Sequence, residues 1–243
     1  MASTSEVGHA KNVANFQDLI EFVIGYGETY NPSKNSLKLP QLIALRETAQ
    51  TKLNDVIAKN TIYNNKVNER MVAFGNLKSF STRLVNALQT TDATNETINN
   101  AKTFNRKMQG KKASTTQAST DPNAPAPATI STSQQSYDQL IQHLAGLKSV
   151  LETEPSYTPN EIELQIATID SKIADLSAKN TAVATAYTNI SNSRISRNET
   201  LYTNENGIYE TASEVKKYIK SVFGASSPQY NQVSGIKFSK PKL

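Results

Sequence analysis

One stretch of the sequence, residues 159–201, constrains the fold more than any other. It contains no glycine and, after its first residue, no proline, and both residue types disfavour helix interiors. Its core-type positions alternate at spacings of four and three residues, the heptad pattern of helices that pack against helices. They are Ile162, Ile166, Ile169, Ile173, Leu176, Asn180, Val183, Tyr187, Ile190, Arg194, Arg197 and Leu201. The pattern predicts one unbroken helix of roughly 65 Å, capped by Thr158.

The two halves of the chain repeat one another, which predicts an internal duplication. A Tyr-x-Pro motif occurs at residues 30–32 and again at 157–159, and each is preceded by a helical apolar pattern. A long helix is predicted after each motif, over residues 40–74 and 159–201. Both contain the tetrapeptide Ala-Lys-Asn-Thr, at an offset of 120 residues. Gly75 and Gly207 then end the long helices, and a medium-length helix is predicted after each glycine.

The predicted fold is all-α, with two related three-helix units whose long, heptad-patterned helices form an elongated helical bundle. The first unit spans residues 13–108 and the second spans residues 137–238. Residues 109–136 are rich in Ser, Thr, Ala and Pro and show no apolar period, which predicts a linker. The N-terminal residues 1–12 are predicted to be loose, and residues 239–243 form a basic tail.

Two asparagines occupy core-type positions in the long helices. A buried asparagine in a heptad fixes the register and the number of partners at some cost in stability. We therefore expect Asn180→Leu to raise thermal stability and to loosen pairing; the alternative is a polar gap filled by water. The residues predicted to set helix pairing and register are Asn60, Asn180, Ile169, Ile173, Leu176, Val183 and Tyr187.

The residue types needed for most active sites are scarce. The chain has no cysteine and two histidines, His9 in the predicted loose N-terminus and His143 on a helix without a spaced ligand partner. None of its nine glycines form a phosphate-binding loop. The sequence therefore predicts no catalytic residue, no metal site and no cofactor.

The net charge of +5 and the pI near 9.2 come largely from short clusters of basic residues. Possible anion contacts are Lys216, Lys217, Lys220, Lys237 and Lys240. These clusters do not form one long stripe, so nucleic acid is an unfavoured partner. No membrane span and no signal peptide are visible, and the default location is the cytoplasm, with signal-independent export as the alternative.

Three stretches carry a resemblance to a known family. Residues 8–16, 30–40 and 215–238 resemble a family of uncharacterised helical proteins from Bacteroidota. The resemblance implies a bacterial origin. It brings no assigned activity, cofactor or catalytic residue.

The composition and the repeats favour a non-enzymatic structural or interaction protein. Its long helices would present surfaces for self-assembly or for another protein partner. The alternative is an anion-binding module, for nucleic acid or a surface polymer, that uses the basic clusters. A helical pore-former is disfavoured because no apolar hairpin occurs.

Overall fold

The structure is a computed structural model that describes residues 6–110 and 135–241. The described residues form α-helices and three short 3-10 helices, without a strand, which agrees with the predicted all-α class. The α-helices are α1 (Glu6–Gly25), α2 (Leu39–Phe74), α3 (Leu77–Leu88), α4 (Asn95–Gln109), α5 (Tyr137–Glu152), α6 (Ile166–Tyr202), α7 (Ile208–Phe223) and α8 (Pro228–Ser234). The 3-10 helices are Gly27–Thr29, Asn35–Leu37 and Ile162–Leu164.

The chain folds into two compact units, and they differ from the predicted ones. The first unit combines Met1–Tyr63 with Ala186–Leu243, and the second is Asn64–Thr185. Both boundaries fall inside the long helices and not at residues 109–136, of which 111–134 lie outside the described residues. The physical reason is that each core is built from helices of both sequence halves. The medium helices are α3 and α7, and each packs its apolar face against a segment from the other half of the sequence.

The first unit is built around α7. This helix packs against α1, α8 and the 3-10 helix Asn35–Leu37. The apolar faces of α1 and α7 meet in one core, together with residues from the beginning of α2 and the end of α6. The buried members include Phe16, Leu19, Ile20, Leu42, Leu201, Val215 and Ile219.

The second unit is built around α3, α4 and α5. Helix α4 packs against both α3 and α5, and α3 also contacts the 3-10 helix Ile162–Leu164. A close approach of α4 and α5 depends on Gly146, where an added Cβ would lie 2.3 Å from the Phe104 ring. The buried members of this core include Leu77, Leu84, Leu88, Met108, Leu144, Leu147, Ile169 and Leu176.

Each Tyr-x-Pro motif closes a short turn in the same way. The Tyr30 hydroxyl donates to the Leu37 carbonyl at 2.8 Å, and the Tyr157 hydroxyl donates to the Leu164 carbonyl at 2.9 Å. All four residues are buried. In both places the bond spans seven residues and encloses the 3-10 helix that precedes a long helix, so the chain is turned before the long helix begins.

This turn explains why the predicted helix over residues 159–201 begins too early. Helix α6 starts at Ile166, and the predicted cap Thr158 lies in the turn before it. Ile162 fits the heptad spacing but belongs to the 3-10 helix, where its side chain is 73% exposed. The other long helix, α2, begins within one residue of its predicted start and ends at the predicted Phe74.

The prediction of a loose N-terminus over residues 1–12 was wrong for its described part. Helix α1 begins at Glu6, and His9 and Asn12 are each 2% exposed. Asn12 Nδ2 donates to the Ser239 carbonyl at 2.7 Å, and Asn12 Oδ1 accepts from the Ser239 amide at 3.1 Å. His9 Nδ1 lies 2.7 Å from the Tyr202 hydroxyl. Contacts with residues more than 190 positions away, invisible to local patterns, therefore order this segment.

We predict that Tyr157→Phe lowers the free energy of unfolding by about 1 kcal/mol. The change keeps the ring but removes a buried hydroxyl donor, so the Leu164 carbonyl loses its partner. Denaturant unfolding followed by circular dichroism measures the loss. Tyr187→Phe is the control, because Tyr187 is 46% exposed and its loss of a hydroxyl should cost little. Equal stability of wild type and Tyr157→Phe would contradict the role of this bond.

The same bond predicts a pH dependence. Burial, and to a lesser degree Glu161, raises the pKa of Tyr157 to about 12, whereas an unfolded tyrosine titrates near 10. The contribution of the protonated hydroxyl is therefore complete below pH 10 and is lost as the pH rises from 10 to 12. The advantage of the wild type over Tyr157→Phe should shrink across that window in parallel denaturant titrations. An advantage that is constant up to pH 12 would refute this linkage.

Candidate interaction surface

Asn180 lies at the centre of a polar network in the second unit. Arg70 Nη1 donates to Asn180 Oδ1 at 2.9 Å, and Asn180 Nδ2 donates to Asp138 Oδ1 at 2.7 Å. The Arg70 guanidinium carbon also lies 4.0 Å from the centroid of the Tyr137 ring, within cation–π distance. One amide thus links a cation from α2 to a carboxylate from α5.

The first turn of α5 positions two members of this network. Ser136 caps the helix, and its hydroxyl accepts from the Gln139 amide at 3.3 Å. Tyr137 and Asp138 follow directly after the cap, where a carboxylate interacts favourably with the positive end of the helix dipole. Asp138 is therefore held both by its own helix and by Asn180.

The two predicted pairing asparagines behave differently. Asn180 is half-buried with charged partners on both sides, so the expectation that Asn180→Leu raises stability does not fit its contacts. Asn60 is also half-buried, but its side chain forms no hydrogen bond with the residues that the structure describes. The two positions share a sequence pattern and differ in their surroundings.

We predict that Asn180→Leu lowers the free energy of unfolding by about 1–2 kcal/mol. The leucine removes two hydrogen bonds to charged groups and leaves Arg70 and Asp138 without this link. Asn60→Leu is the matched control and should leave stability unchanged or raise it slightly, because it removes no such bond. Thermal and denaturant unfolding of both variants measures the difference. A more stable Asn180→Leu would contradict this role and would show that residue 180 behaves as an ordinary apolar position of the heptad.

The other predicted pairing residues differ in burial. Ile169, Leu176 and Val183 are buried, and Ile173 is partly buried against the core of the second unit. Tyr187 is 46% exposed, and its ring centroid lies 5.9 Å from that of Tyr63 within the first unit. The positions seven residues apart, Ile169, Leu176 and Val183, are therefore covered, whereas the other predicted apolar positions, Ile173 and Tyr187, are only partly covered.

The predicted anion contacts are largely engaged within the first unit. Lys216 donates to the carbonyl of Ile236 and lies 5.4 Å from the centroid of the Phe238 ring, and burial lowers its pKa. The Lys220 amine lies 5.5 Å from the centroid of the Tyr230 ring, and Lys240 donates to Asn204 Oδ1 at 2.9 Å. Lys217 and Lys237 are exposed. Several of these lysines hold the C-terminal segment, and the set does not converge on one site.

An open groove lies between α2 and α6 in the second unit, with a volume of about 600 Å³. We call it the α2–α6 groove, and it is lined by Asn65, Asn68, Glu69, Val72, Ala73, Asp175 and Lys179. From Asn64 to Ala73 no residue of α2 is buried. Val72 in the groove and its neighbour Met71 are 75% and 58% exposed. Two apolar side chains are therefore presented to solvent on a part of α2 whose other side contacts α5 and α6.

Two ion pairs border the α2–α6 groove. Lys66 Nζ lies 2.9 Å from Glu69 Oε1, and Lys179 Nζ lies 3.2 Å from Asp175 Oδ1. Both pairs join residues of the same helix and are partly exposed to solvent, so they stabilise the fold weakly. The groove thus combines an exposed valine, asparagine amides and charges of both signs.

Sequence reasoning missed the groove because it followed the apolar stripe of α2. That stripe runs through Val56, Asn60, Tyr63 and Val67, and Met71 and Val72 both lie outside it. Two neighbouring apolar residues outside the stripe of a long helix were the available signal. Val72 points away from the stripe and Met71 lies at its edge, so neither is required to enter the same core.

Metal and membrane sites find no support in the described ranges. Residues 6–110 and 135–241 contain no group of three or more His, Cys, Asp or Glu side chains able to hold a metal ion. Burial and the nearby Lys107 lower the pKa of His143, which favours a neutral imidazole. Within the same ranges, no helix has the length and apolar character needed to cross a bilayer.

Comparison with protein-family models, curated proteins and solved structures found no match. The resemblance to helical proteins of Bacteroidota and the internal duplication therefore stay predictions.

Proposed function

We propose that this chain is a non-enzymatic structural or interaction protein that docks a helix in the α2–α6 groove. The observation that carries the proposal is the ten-residue length of α2, Asn64–Ala73, on which no side chain is buried while Met71 and Val72 are exposed. Exposed apolar side chains beside a groove can mark a docking site. A helix of the partner packed along this stretch would remove exposed apolar surface from water.

The partner that fits best is a second copy of the chain. An interface between two identical surfaces needs a patch that is complementary to itself. The Lys66–Glu69 and Asp175–Lys179 pairs give each rim of the groove both signs of charge. A copy related by a two-fold axis can therefore oppose each cation with an anion. The exposed amides of Asn65 and Asn68 can pair as donor and acceptor in the same interface.

The anion-binding alternative has weaker support. Lys216, Lys220 and Lys240 interact with carbonyls, rings or an amide of the chain itself. A phosphate polymer would have to compete for those amines. Self-assembly is therefore the function that we propose. A gel-shift assay across salt concentrations tests the alternative, and tight binding of nucleic acid in that assay would favour it.

We predict that Val72→Lys weakens self-association at least tenfold. Burial of one valine side chain contributes about 1.5–3 kcal/mol, and a lysine would add an unpaired charge to each copy of the groove. Light scattering coupled to size-exclusion chromatography over a concentration series measures the association. Circular dichroism should show an unchanged fold, because Val72 is 75% exposed.

Ile162→Lys is the matched control for this experiment. Ile162 lies in the same unit and is 73% exposed, but it is outside the α2–α6 groove. This variant should associate like the wild type. A wild type that stays monomeric at all concentrations, or equal weakening by both substitutions, would contradict docking of a second copy in the groove.

A further inference from the structure

Each medium helix forms one ion pair with the segment at a 3-10 helix, and the positions of the cation and the anion are exchanged between the two pairs. In the second unit, Arg83 of α3 lies 2.7 Å from Glu163 of the 3-10 helix Ile162–Leu164. In the first unit, Glu214 of α7 lies 2.6 Å from Lys34, the residue before the 3-10 helix Asn35–Leu37. The helix supplies the cation in one unit and the anion in the other.

The two medium helices are otherwise built alike. Arg83 and Glu214 are each the seventh residue of their helix. The first, fourth, fifth, eighth and twelfth positions of both helices are buried. These residues are Leu77, Phe80, Ser81, Leu84 and Leu88 in α3, and Ile208, Thr211, Ala212, Val215 and Ile219 in α7. Each helix therefore presents a similar buried face, with its charged residue at the same position.

The segments on which these helices dock are also alike. Each consists of a 3-10 helix closed by a hydrogen bond from a buried tyrosine to a buried leucine, Tyr30 to Leu37 and Tyr157 to Leu164. The backbone and the buried side chains of the two segments thus offer similar contacts to a medium helix. The two docking sites differ in the sign of the charge that pairs with the helix, which is the cation Lys34 in the first unit and the anion Glu163 in the second.

The structure pairs each medium helix with the segment from the other half of the sequence. Helix α3 contacts Ile162–Leu164, and α7 contacts Asn35–Leu37. When the two segments are aligned on their Tyr–Leu hydrogen bonds, Lys34 corresponds to Glu161 and Ser36 corresponds to Glu163. If each helix instead docked on the segment of its own half, within one chain or between two copies, Arg83 would approach a segment whose nearest charge is Lys34, and Glu214 would approach Glu161 and Glu163. Both of these combinations place like charges together.

We propose that the two reversed ion pairs select the cross-half pairing and disfavour docking of like halves. Specificity between similar partners commonly needs such a repulsive element in addition to attraction. Each of these ion pairs is largely exposed and, taken alone, changes an equilibrium by about 1.5- to 5-fold. The observed pairing contains two attractions, and the like-half pairing would contain two repulsions. Their effects on the equilibrium constant between the two pairings multiply, because the two sites are separate.

The test exchanges the charges on the medium helices of the full-length chain. Arg83→Glu combined with Glu214→Lys makes both native pairs repulsive and both like-half pairs attractive. We expect the melting temperature to fall by about 2–6 °C at low salt. After denaturation and refolding at increasing protein concentration, light scattering should show dimers or larger species beyond those of the wild type.

Two further variants separate pairing choice from loss of stability. Adding Lys34→Glu and Glu163→Lys to the exchange reverses all four charges, and this variant should refold with the melting temperature and mass distribution of the wild type. Arg83→Gln with Glu214→Gln removes the attraction without rewarding the like-half pairing, so it should melt slightly lower and form no additional species. The effect of the exchange should shrink at 0.5 M NaCl, where charges are screened.

Two results would overturn the proposal. The first is an exchanged variant that refolds to the wild-type mass distribution at low salt. The second is a fourfold reversal that fails to restore the wild-type behaviour, including the case in which the exchanged variant does not fold at all.

Discussion

The fold depends on the docking of each medium helix onto a segment that lies far away in the sequence. The ion pairs that mark these contacts join residues 80 positions apart in the second unit and 180 positions apart in the first. Apolar burial provides most of the stability, and the loop-closure entropy lost in such contacts grows only slowly with separation. In this structure neither half of the chain completes a core alone, since α1 packs on α7 and α3 packs on the 3-10 helix before α6.

The long helices were predictable because their determinants are local. Residues 41–74 and 160–202 contain neither glycine nor proline, and both predicted ends of α2 lie within one residue of the observed ends. The start of α6 was not predictable from spacing, because the Tyr157–Leu164 bond encloses Ile162 in a 3-10 helix although that residue fits the stripe. The membership of the two units was equally hidden. An apolar stripe indicates that a face must be covered and does not say which element covers it.

The polar positions show the same limit at the level of single side chains. Asn60 and Asn180 occur in identical tetrapeptides, yet Asn180 bonds to Arg70, 110 residues away, and to Asp138, 42 residues away. The energy of an amide in a helix depends on such partners more than on its heptad position. The exposed Val72 was detectable in principle, because an apolar residue outside the stripe has no core to enter.

The composition of the first unit has a consequence for synthesis of the chain on the ribosome. Helix α1 ends at Gly25, whereas α7, which covers its apolar face, begins at Ile208, so about 180 residues are made in between. At about 5–20 residues per second that interval lasts about 9–36 s. During this time Phe16, Leu19 and Ile20 have no partner from α7, and the second unit receives the last segment of its own core, in α6, before α7 is made. The second unit can therefore form while the chain is still being made, and the first must wait until α7 and α8 have been made.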